Sequence, residues 1–513
     1  YLAAEMFRQK GEDFWAGPVS DAYPEEDLIK YGVRKINRTE IDYHISHYRD
    51  ADYEPIEAIA TWPGNGDPDL GQADLLAPWF DNDQDGIYNP HAGDTPLIRG
   101  DQSLFFIYND ARNEHTESGG GSLGIEIHGN AYAFDQPEDS ALFNTIFVHY
   151  DIYNRSNRTY HSTFIGFFVD FYLGFGWDDF IGCDVSRGSF YIYNGFPEDG
   201  GGAAESYGVN PPVQGVVFLG GATMPPDEND NPSGGCNESI NGLNFGDGIV
   251  DNERYGMTAF TYLNFSSTYP HPIINPQIAP EYYDFLRSHW IDGSPVMYGG
   301  NYNYEEPNAV GPECKFMYPG DSDPLNWGTG CELPNGGYNQ NGYYWNEETT
   351  GNLPGNRGGL GITGPFTFAP GEVQSLDIAY VYARDNDTTD NISAIDIMNQ
   401  RIDTLRNRVM RGEIIYLPEY SVGIAENDPV SFEVSVYPNP ASGGQVFVDL
   451  RKSGLSGSAR YRISDLFGRT LSRGTLKADQ ANNISTANLD SGIYLLAVES
   501  ENRRALVKLV IRR

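Results

Sequence analysis

The chain has 513 residues, of which 39% are hydrophobic and 13% aromatic; this is enough for globular folding, excludes a disordered chain, and predicts two to four domains rather than one core. A formal net charge of −39 argues against nucleic acid as a partner, because phosphates would be repelled, and suits bound cations, a salty medium or a carbohydrate surface. Gly 59, Pro 32 and Tyr 35 describe many turns and aromatic-rich strands, so a mostly β fold is expected.

The chain opens on YLAAEMFRQKGEDFW, where Leu2, Ala4 and Met6 alternate with Ala3, Glu5 and Phe7. That alternation reads as a strand already in progress, so preceding residues, a signal peptide among them, are expected to be missing from this sequence. No apolar run reaches the ~18 residues of a transmembrane span.

The strongest local motif follows at residues 81–94, DNDQDGIYNPHAGD. Asp81, Asp83 and Asp85 alternate, Gly86 permits a sharp turn, and the Ile87 carbonyl would be the next oxygen. Carboxylates at positions 1, 3 and 5 of a turn converge on one point, which suits the six to eight oxygens that Ca²⁺ takes. The opening resembles the calcium loops of EF-hands, dockerins and thrombospondin type 3 repeats. It departs from them at position 12, which is Ala92, so the closing carboxylate would be Asp94 or come from elsewhere. The expected role is structural, and a solvated acidic turn is the alternative.

Period-two alternation then marks strands at 124–134 (GIEIHGNAYAF) and 144–154 (NTIFVHYDIYN). FIGFFVDFYLGF (164–175) is apolar on both faces, as a central strand would be, and EVQSLDIAYVYARD (372–385) follows the turn APGE. Long Gly/Pro/Asn/Asp loops lie between them, of the kind that are functional or tied down by ligands and disulfides. They carry weaker cation candidates: Asp178, Asp179 and Asp184; Asp247, Asp251 and Glu253; Asp321 and Asp323. Ordinary turn chemistry is the competing reading for each.

Four cysteines are spread without a CxxC pair, which is poor spacing for zinc or redox chemistry. Two disulfides are expected in an exported chain, with Cys314 paired to Cys331 as the short loop and Cys183 and Cys236 remaining; free buried thiols are the alternative. GGSLG (120–124) matches a nucleophile elbow around Ser122 in letters only, since a polar segment precedes it and a strand follows. His115, Glu117 and His128 lack HExxH spacing. No catalytic residues are assigned. Trp327, Tyr338, Tyr343, Tyr344 and Trp345 lie in loops where they would stack on sugars, or equally fill a β core.

In NISAIDIMNQRIDTLRNRVMRGE, Ile395, Met398, Ile402, Leu405 and Val409 recur at spacings of three and four. They predict one amphipathic helix packed on the body and stopped at Gly412. The β-rich body, with two sub-domains as an option, is therefore placed at residues 1–415 and a linker at 416–430. A small Ig-like sandwich of short strands follows at 431–513. From Pro438 onward twelve Lys/Arg face six Asp/Glu, a local +6 that leaves −45 on the rest.

The end of the chain carries YPNP (Tyr437, Pro438, Asn439, Pro440), ISDLFGR with Gly468 and Arg469, LDSGIYLLAV with Gly492 and Tyr494, and Lys508 in ALVKLVIRR. In this order and spacing they resemble the type A C-terminal sorting domain of the type IX secretion system of Bacteroidota. The resemblance implies export to the outer cell surface or beyond, with the outer-membrane translocon as a partner. GEDFWAGP, GCDVSRG and NFGDGIVDNERYGM resemble an uncharacterised family of large secreted Bacteroidota proteins, which implies location and β architecture and no activity. The phylum's O-glycosylation pattern fits Ser140 and Thr388, with Thr404 a weaker match inside the helix. The reading that follows is a secreted, calcium-stabilised surface protein with a structural or adhesive role, homo-oligomeric assembly included. The alternatives are a polysaccharide-active hydrolase and a glycan-binding module.

Overall fold

The computed structural model describes residues 13–116, 119–236, 239–265, 273–301, 309–417, 434–455, 457–464, 470–489, 491–500 and 503–512. The expected opening strand before residue 13, Glu117, most of the 416–430 linker, Gly468 and Arg469 lie outside them. The chain divides into two compact units, Tyr1–Pro418 and Glu419–Arg513.

The strands of the first unit are β1 (Trp15–Ala16), β2 (Arg34–Asn37), β3 (Trp79–Phe80), β4 (Thr95–Pro96), β5 (Gln102–Asn109), β6 (Ile125–Ala133), β7 (Thr145–Asn154) and β8 (Tyr160–Asp170). They continue with β9 (Asp179–Asp184), β10 (Ser189–Asn194), β11 (Glu198–Asp199), β12 (Gly208–Val209), β13 (Val213–Gly220), β14 (Ala259–Asn264), β15 (Arg357–Phe368) and β16 (Val373–Ala383). Nine of them form one antiparallel sheet in the order β1-β5-β6-β7-β16-β13-β10-β9, with β2 also on β5. A second sheet has the order β14-β15-β8.

The two faces of the large sheet follow from the period of two. On β13, Val216 and Phe218 point into the main core together with Phe190, Phe260, Leu360 and Ile362 from both sheets. Val213, Val217 and Leu219 alternate with them and meet the helix Ser393–Met410. That helix buries Ala394, Met398, Ile402, Leu405 and Val409 on one side and ends before Gly412, whose φ of +77° suits glycine. Gly215 permits the close approach: a Cβ there would sit 2.4 Å from the Met398 sulfur. Ile395, on the predicted stripe, is only half-buried.

The segment expected as a central strand is instead the edge strand β8. Its two apolar faces have a different cause. Phe164, Ile165, Phe167, Phe168 and Val169 are half-covered by the main core, and Leu286 packs against Gly166. The chain leaves the strand at Asp170, so residues 171–175 are not part of it.

The disulfide expectation is corrected. Cys236 bonds Cys331, with Cα atoms 5.8 Å apart, while Cys183 and Cys314 are free and buried. Sequence proximity misleads here because Cys314 faces inward, its thiol donating to the Phe316 carbonyl at 3.2 Å within the main core. Cys183 sits on β9 in the same core, its Sγ 3.1 Å from the Met317 carbonyl. The two loop cysteines are therefore left to meet each other.

In the second unit, β17 (Ser435–Tyr437), β18 (Gln445–Asp449) and β21 (Ala481–Ser485) form one sheet in the order β17-β18-β21. β20 (Thr470–Lys477), β19 (Ser458–Ser464), β22 (Gly492–Ser500) and β23 (Arg503–Ile511) form another, in the order β20-β19-β22-β23. Alternate residues of both sheets, among them Val446, Val448, Ile463, Leu496, Val498 and Leu509, make their common core.

Candidate functional site

Residues 81–94 are the loop between β3 and β4, which pair as Trp79↔Pro96 and Phe80↔Thr95. The pairing returns the chain on itself and brings Asp94 back beside the start of the loop. Asp94 is fully buried, and its two oxygens accept the Asn82 amide at 2.8 Å and the Asn89 amide at 2.7 Å. Asp81 accepts from Gln84 N at 2.6 Å and Gly86 N at 2.9 Å, which curls the tip of the loop. Gly86 has φ +82°, the left-handed turn the motif requires. The loop is tied to the helix Arg38–His47 through His44, whose Nε2 lies 3.1 Å from the Asp94 carbonyl oxygen.

One carboxylate oxygen from each of Asp81, Asp83 and Asp94 lies within 4.8 Å of the others. Oxygens bound to one Ca²⁺ at 2.3–2.6 Å are separated by no more than about 5 Å, so this group can ligate a single hard cation. Burial pushes the Asp94 carboxyl up, and the Asp81 and Asp83 charges add to this against the two amide bonds. Asp85 stands apart from the triad, its carboxylate accepting the Ile87 amide at 2.7 Å. The Ile87 side chain is exposed.

Five of the other acidic candidates, Asp184, Asp247, Asp251, Glu253 and Asp323, are engaged by groups close to them in sequence or across their loop pair. Asp247 accepts from Ile249 N and Asn252 Nδ2, Asp251 from the Asp227 and Glu228 amides, and Glu253 from Asn231 N at 2.5 Å. Asp230, which sequence reading did not single out, accepts the amides of Gly246 and Gly248 at 2.8 Å and so joins the two halves of this loop pair. Asp184 pairs with Arg187 at 2.7 Å, and Asp323 accepts the amides of Trp327 and Gly328.

Of the five loop aromatics, Trp345 and Trp327 are buried in the main core, whereas Tyr338, Tyr343 and Tyr344 are exposed. Tyr338 and Tyr344 pack against each other in a tilted arrangement with ring centres 5.3 Å apart. A separate open cleft of about 660 Å³ beside the helix Arg38–His47 is lined by Glu40, Tyr43, His47, Asp50, Asp52 and Tyr53 among others. Tyr43 and His47 stack there at 3.9 Å. His128 lies on Glu126 at 2.9 Å, which Arg155 also binds, while His115 reaches the Asp110 carbonyl at 3.0 Å. Ser140 is exposed at the first position of a short helix capped by Asp139. The Thr388 hydroxyl is held by Asp385 and Ser393, and Thr404 bonds the Gln400 carbonyl within its helix.

The YPNP segment has a clear local role. Asn439 Nδ2 donates to the Lys508 carbonyl at 2.6 Å and its Oδ1 accepts from Val510 N at 2.8 Å. Ala441 continues alongside, exchanging backbone bonds with Val510 and Arg512. The motif thus fastens the first strand region to the last. Tyr437 stacks on Phe447, and Tyr494 is buried in the shared core.

A family model described as "Secretion system C-terminal sorting domain" matches residues 435–512. These residues are a type IX (Por) secretion sorting domain, and the chain is a secreted protein directed to the cell surface or the extracellular space, with the translocon as its partner. No helix among the described residues is long and apolar enough to cross a membrane. Among curated proteins none matches. Among solved structures the chain is similar to a polysaccharide lyase, at 8% identity and a TM-score of 0.18, over 75% of this chain and 34% of that one. The chain thus spans about a third of that protein's length.

Proposed function

We propose that this is a cell-surface structural or adhesive protein whose first unit is stiffened by Ca²⁺ bound at Asp81, Asp83 and Asp94. The observation that carries this reading is the convergence of those three carboxylates within 4.8 Å at the closure of one loop. All-oxygen donors suit Ca²⁺ over softer metals. The triad's surroundings suit a lock: Asp94 already holds both ends of the loop through backbone amides, so an ion would add rigidity where the chain is pinned. Homo-oligomeric assembly would use exposed aromatics such as Tyr338, Tyr343 and Tyr344.

The test has two parts. Chelation should lower the melting temperature of the first unit, and added Ca²⁺ should restore it; an unchanged melt refutes the lock. Electron microscopy of material sheared from producing cells should then show ordered assemblies of this chain or chain bound to surface structures. Dispersed particles that cleave members of a polysaccharide panel would refute the structural role.

A second reading, glycan binding, is favoured by the cleft where Tyr43, His47 and Tyr53 stand among acids. Aromatic faces stack on sugar rings while carboxylates accept their hydroxyls. Loss of glycan-array binding in Tyr43→Ala would support it.

A further inference from the structure

We infer that the first unit holds a second, interior hard-cation site, built by Asp178, Asp179 and Asn194 at the paired ends of β9 and β10. Asp179 begins β9 and lies directly opposite Asn194, the last residue of β10. Directly opposed residues of an antiparallel pair project from the same face. Both side chains are fully buried, at 0% exposure. Neither carboxylate oxygen of Asp179 has a hydrogen-bond partner, nor does Asn194 Oδ1 or Asp178 Oδ1. The Asn194 amide end is already committed, donating to the Phe196 carbonyl at 2.8 Å, so its oxygen is the free end.

Four buried oxygens of acceptor type, on residues adjacent in sequence or directly opposed in register, therefore lie at one strand end without a donor. Natural proteins rarely leave even one such atom unsatisfied. The surrounding charge makes the omission costlier. Asp199 is almost wholly buried nearby, held by the amides of Phe175 at 3.1 Å and Tyr207 at 2.5 Å. Burial, then Asp178 and Asp199, push the Asp179 carboxyl up to about 9, against a smaller pull from the Leu173 amide and from Arg357. Arg357 is itself bound to Glu347 at 2.7 Å.

A proton on Asp179 would neutralise one carboxylate and let its O–H donate to one neighbouring acceptor, which still leaves two of the four oxygens unanswered. One cation satisfies all four at once, and two carboxylates with an amide carbonyl are the donors that Ca²⁺ prefers. The backbone holds the donors in place, since Gly195 N binds the Asp178 carbonyl at 2.7 Å and Gly355 N the Asp179 carbonyl at 2.9 Å. Asp184, the third acid of the same sequence segment, is turned to Arg187 and takes no part.

The experiment is equilibrium dialysis of the chelator-stripped full chain against Ca²⁺ alone. Asp179→Asn and Asp178→Asn should each lose one bound ion per chain, while Asp83→Asn leaves that ion in place. Asp178→Asn is the milder change: it retains an oxygen for the Gly200 amide, bonded at 3.0 Å, and so reports where Asp179→Asn fails to fold. Unchanged stoichiometry in Asp178→Asn overturns the inference, as does loss of all bound Ca²⁺ in Asp83→Asn. Failure of the loop site alone would appear as Asp83→Asn binding as the unaltered chain does.

Discussion

Replacing Asp83 by asparagine should change the sign of its effect on stability with the presence of calcium. Asp83 is exposed, so its repulsion toward Asp81 and Asp94 is softened by water. Two charges 4.8 Å apart repel by about 0.9 kcal/mol in a water-like dielectric, so the cation-free protein should gain no more than about 1–2 kcal/mol from the substitution. With Ca²⁺ at a hundredfold excess over its dissociation constant, the unaltered protein gains about 2.7 kcal/mol by mass action. Each tenfold loss of affinity removes about 1.4 kcal/mol of that. The Asp83→Asn substitution should therefore be neutral or slightly stabilising in chelator and destabilising in calcium. Urea unfolding followed by tryptophan fluorescence isolates the relevant unit, because all seven tryptophans lie before residue 418 and Trp79 adjoins the loop. The same shift in both conditions would refute the reasoning, since a merely structural role of Asp83 does not depend on the ion.

Three further outcomes are expected. Glu347 and Arg357 form a buried pair at 2.7 Å, so Glu347→Ala should cost about 3–5 kcal/mol by leaving the guanidinium unpaired, and the double variant Glu347→Leu with Arg357→Met should recover most of it; tryptophan-monitored urea melts decide this. His149 lies 2.7 Å from Asp377 and 3.1 Å from Asp151. Burial and Arg99 pull its pKa down, but the two carboxylates prevail and raise it, while Asp377 and Asp151 are lowered. A raised His stabilises below its ordinary value of about 6.5 and loses that as pH rises; lowered carboxylates stabilise above about 3.9 and lose it as pH falls. Melting temperature should thus show a plateau between about pH 4 and 6.5, and His149→Phe should flatten its alkaline side; an unchanged profile would count against the network. Cys236→Ser opens a bond between residues 95 apart in sequence and should cost about 2–4 kcal/mol, with Cys314→Ser giving no comparable loss of cross-linking on non-reducing mass analysis.

How much of this was legible in the sequence depends on the range of the interaction. Period two located β6, β7 and β16, and spacings of three and four located the helix Ser393–Met410, because each pattern is written within one element. The sorting domain was legible because its motifs lie in a fixed order, and Asn439 shows why the first and last must be kept together. The edge position of β8, the Cys236–Cys331 bond and the Glu347–Arg357 pair were not legible, since each is fixed by which distant segments meet. The acidic loop falls between these cases. Asp81 and Asp83 announce themselves by spacing, but Asp94 joins them only because two residues on each side pair as β3 and β4.

The same distinction accounts for the acidity of the body. Outside the sorting domain, acids far outnumber Lys and Arg, so ion pairs cannot answer most carboxylates. The chain answers many of them with backbone amides instead, as at Asp81, Asp110, Asp230, Asp251 and Asp323. Gly, Asn and Asp turns supply those amides, which is why an acid-rich chain is also loop-rich. An amide bond leaves the carboxylate's full charge in place, however, and where several such groups converge only a cation or a proton can neutralise them. Asp81, Asp83 and Asp94 are such a place at the surface, and the Asp179 strand end is such a place in the interior. A protein delivered outside the cell can draw on Ca²⁺ from its surroundings, so folding and location become linked through the same acids. On this argument the sorting domain needs no such device, and its own local excess of Lys and Arg agrees with that.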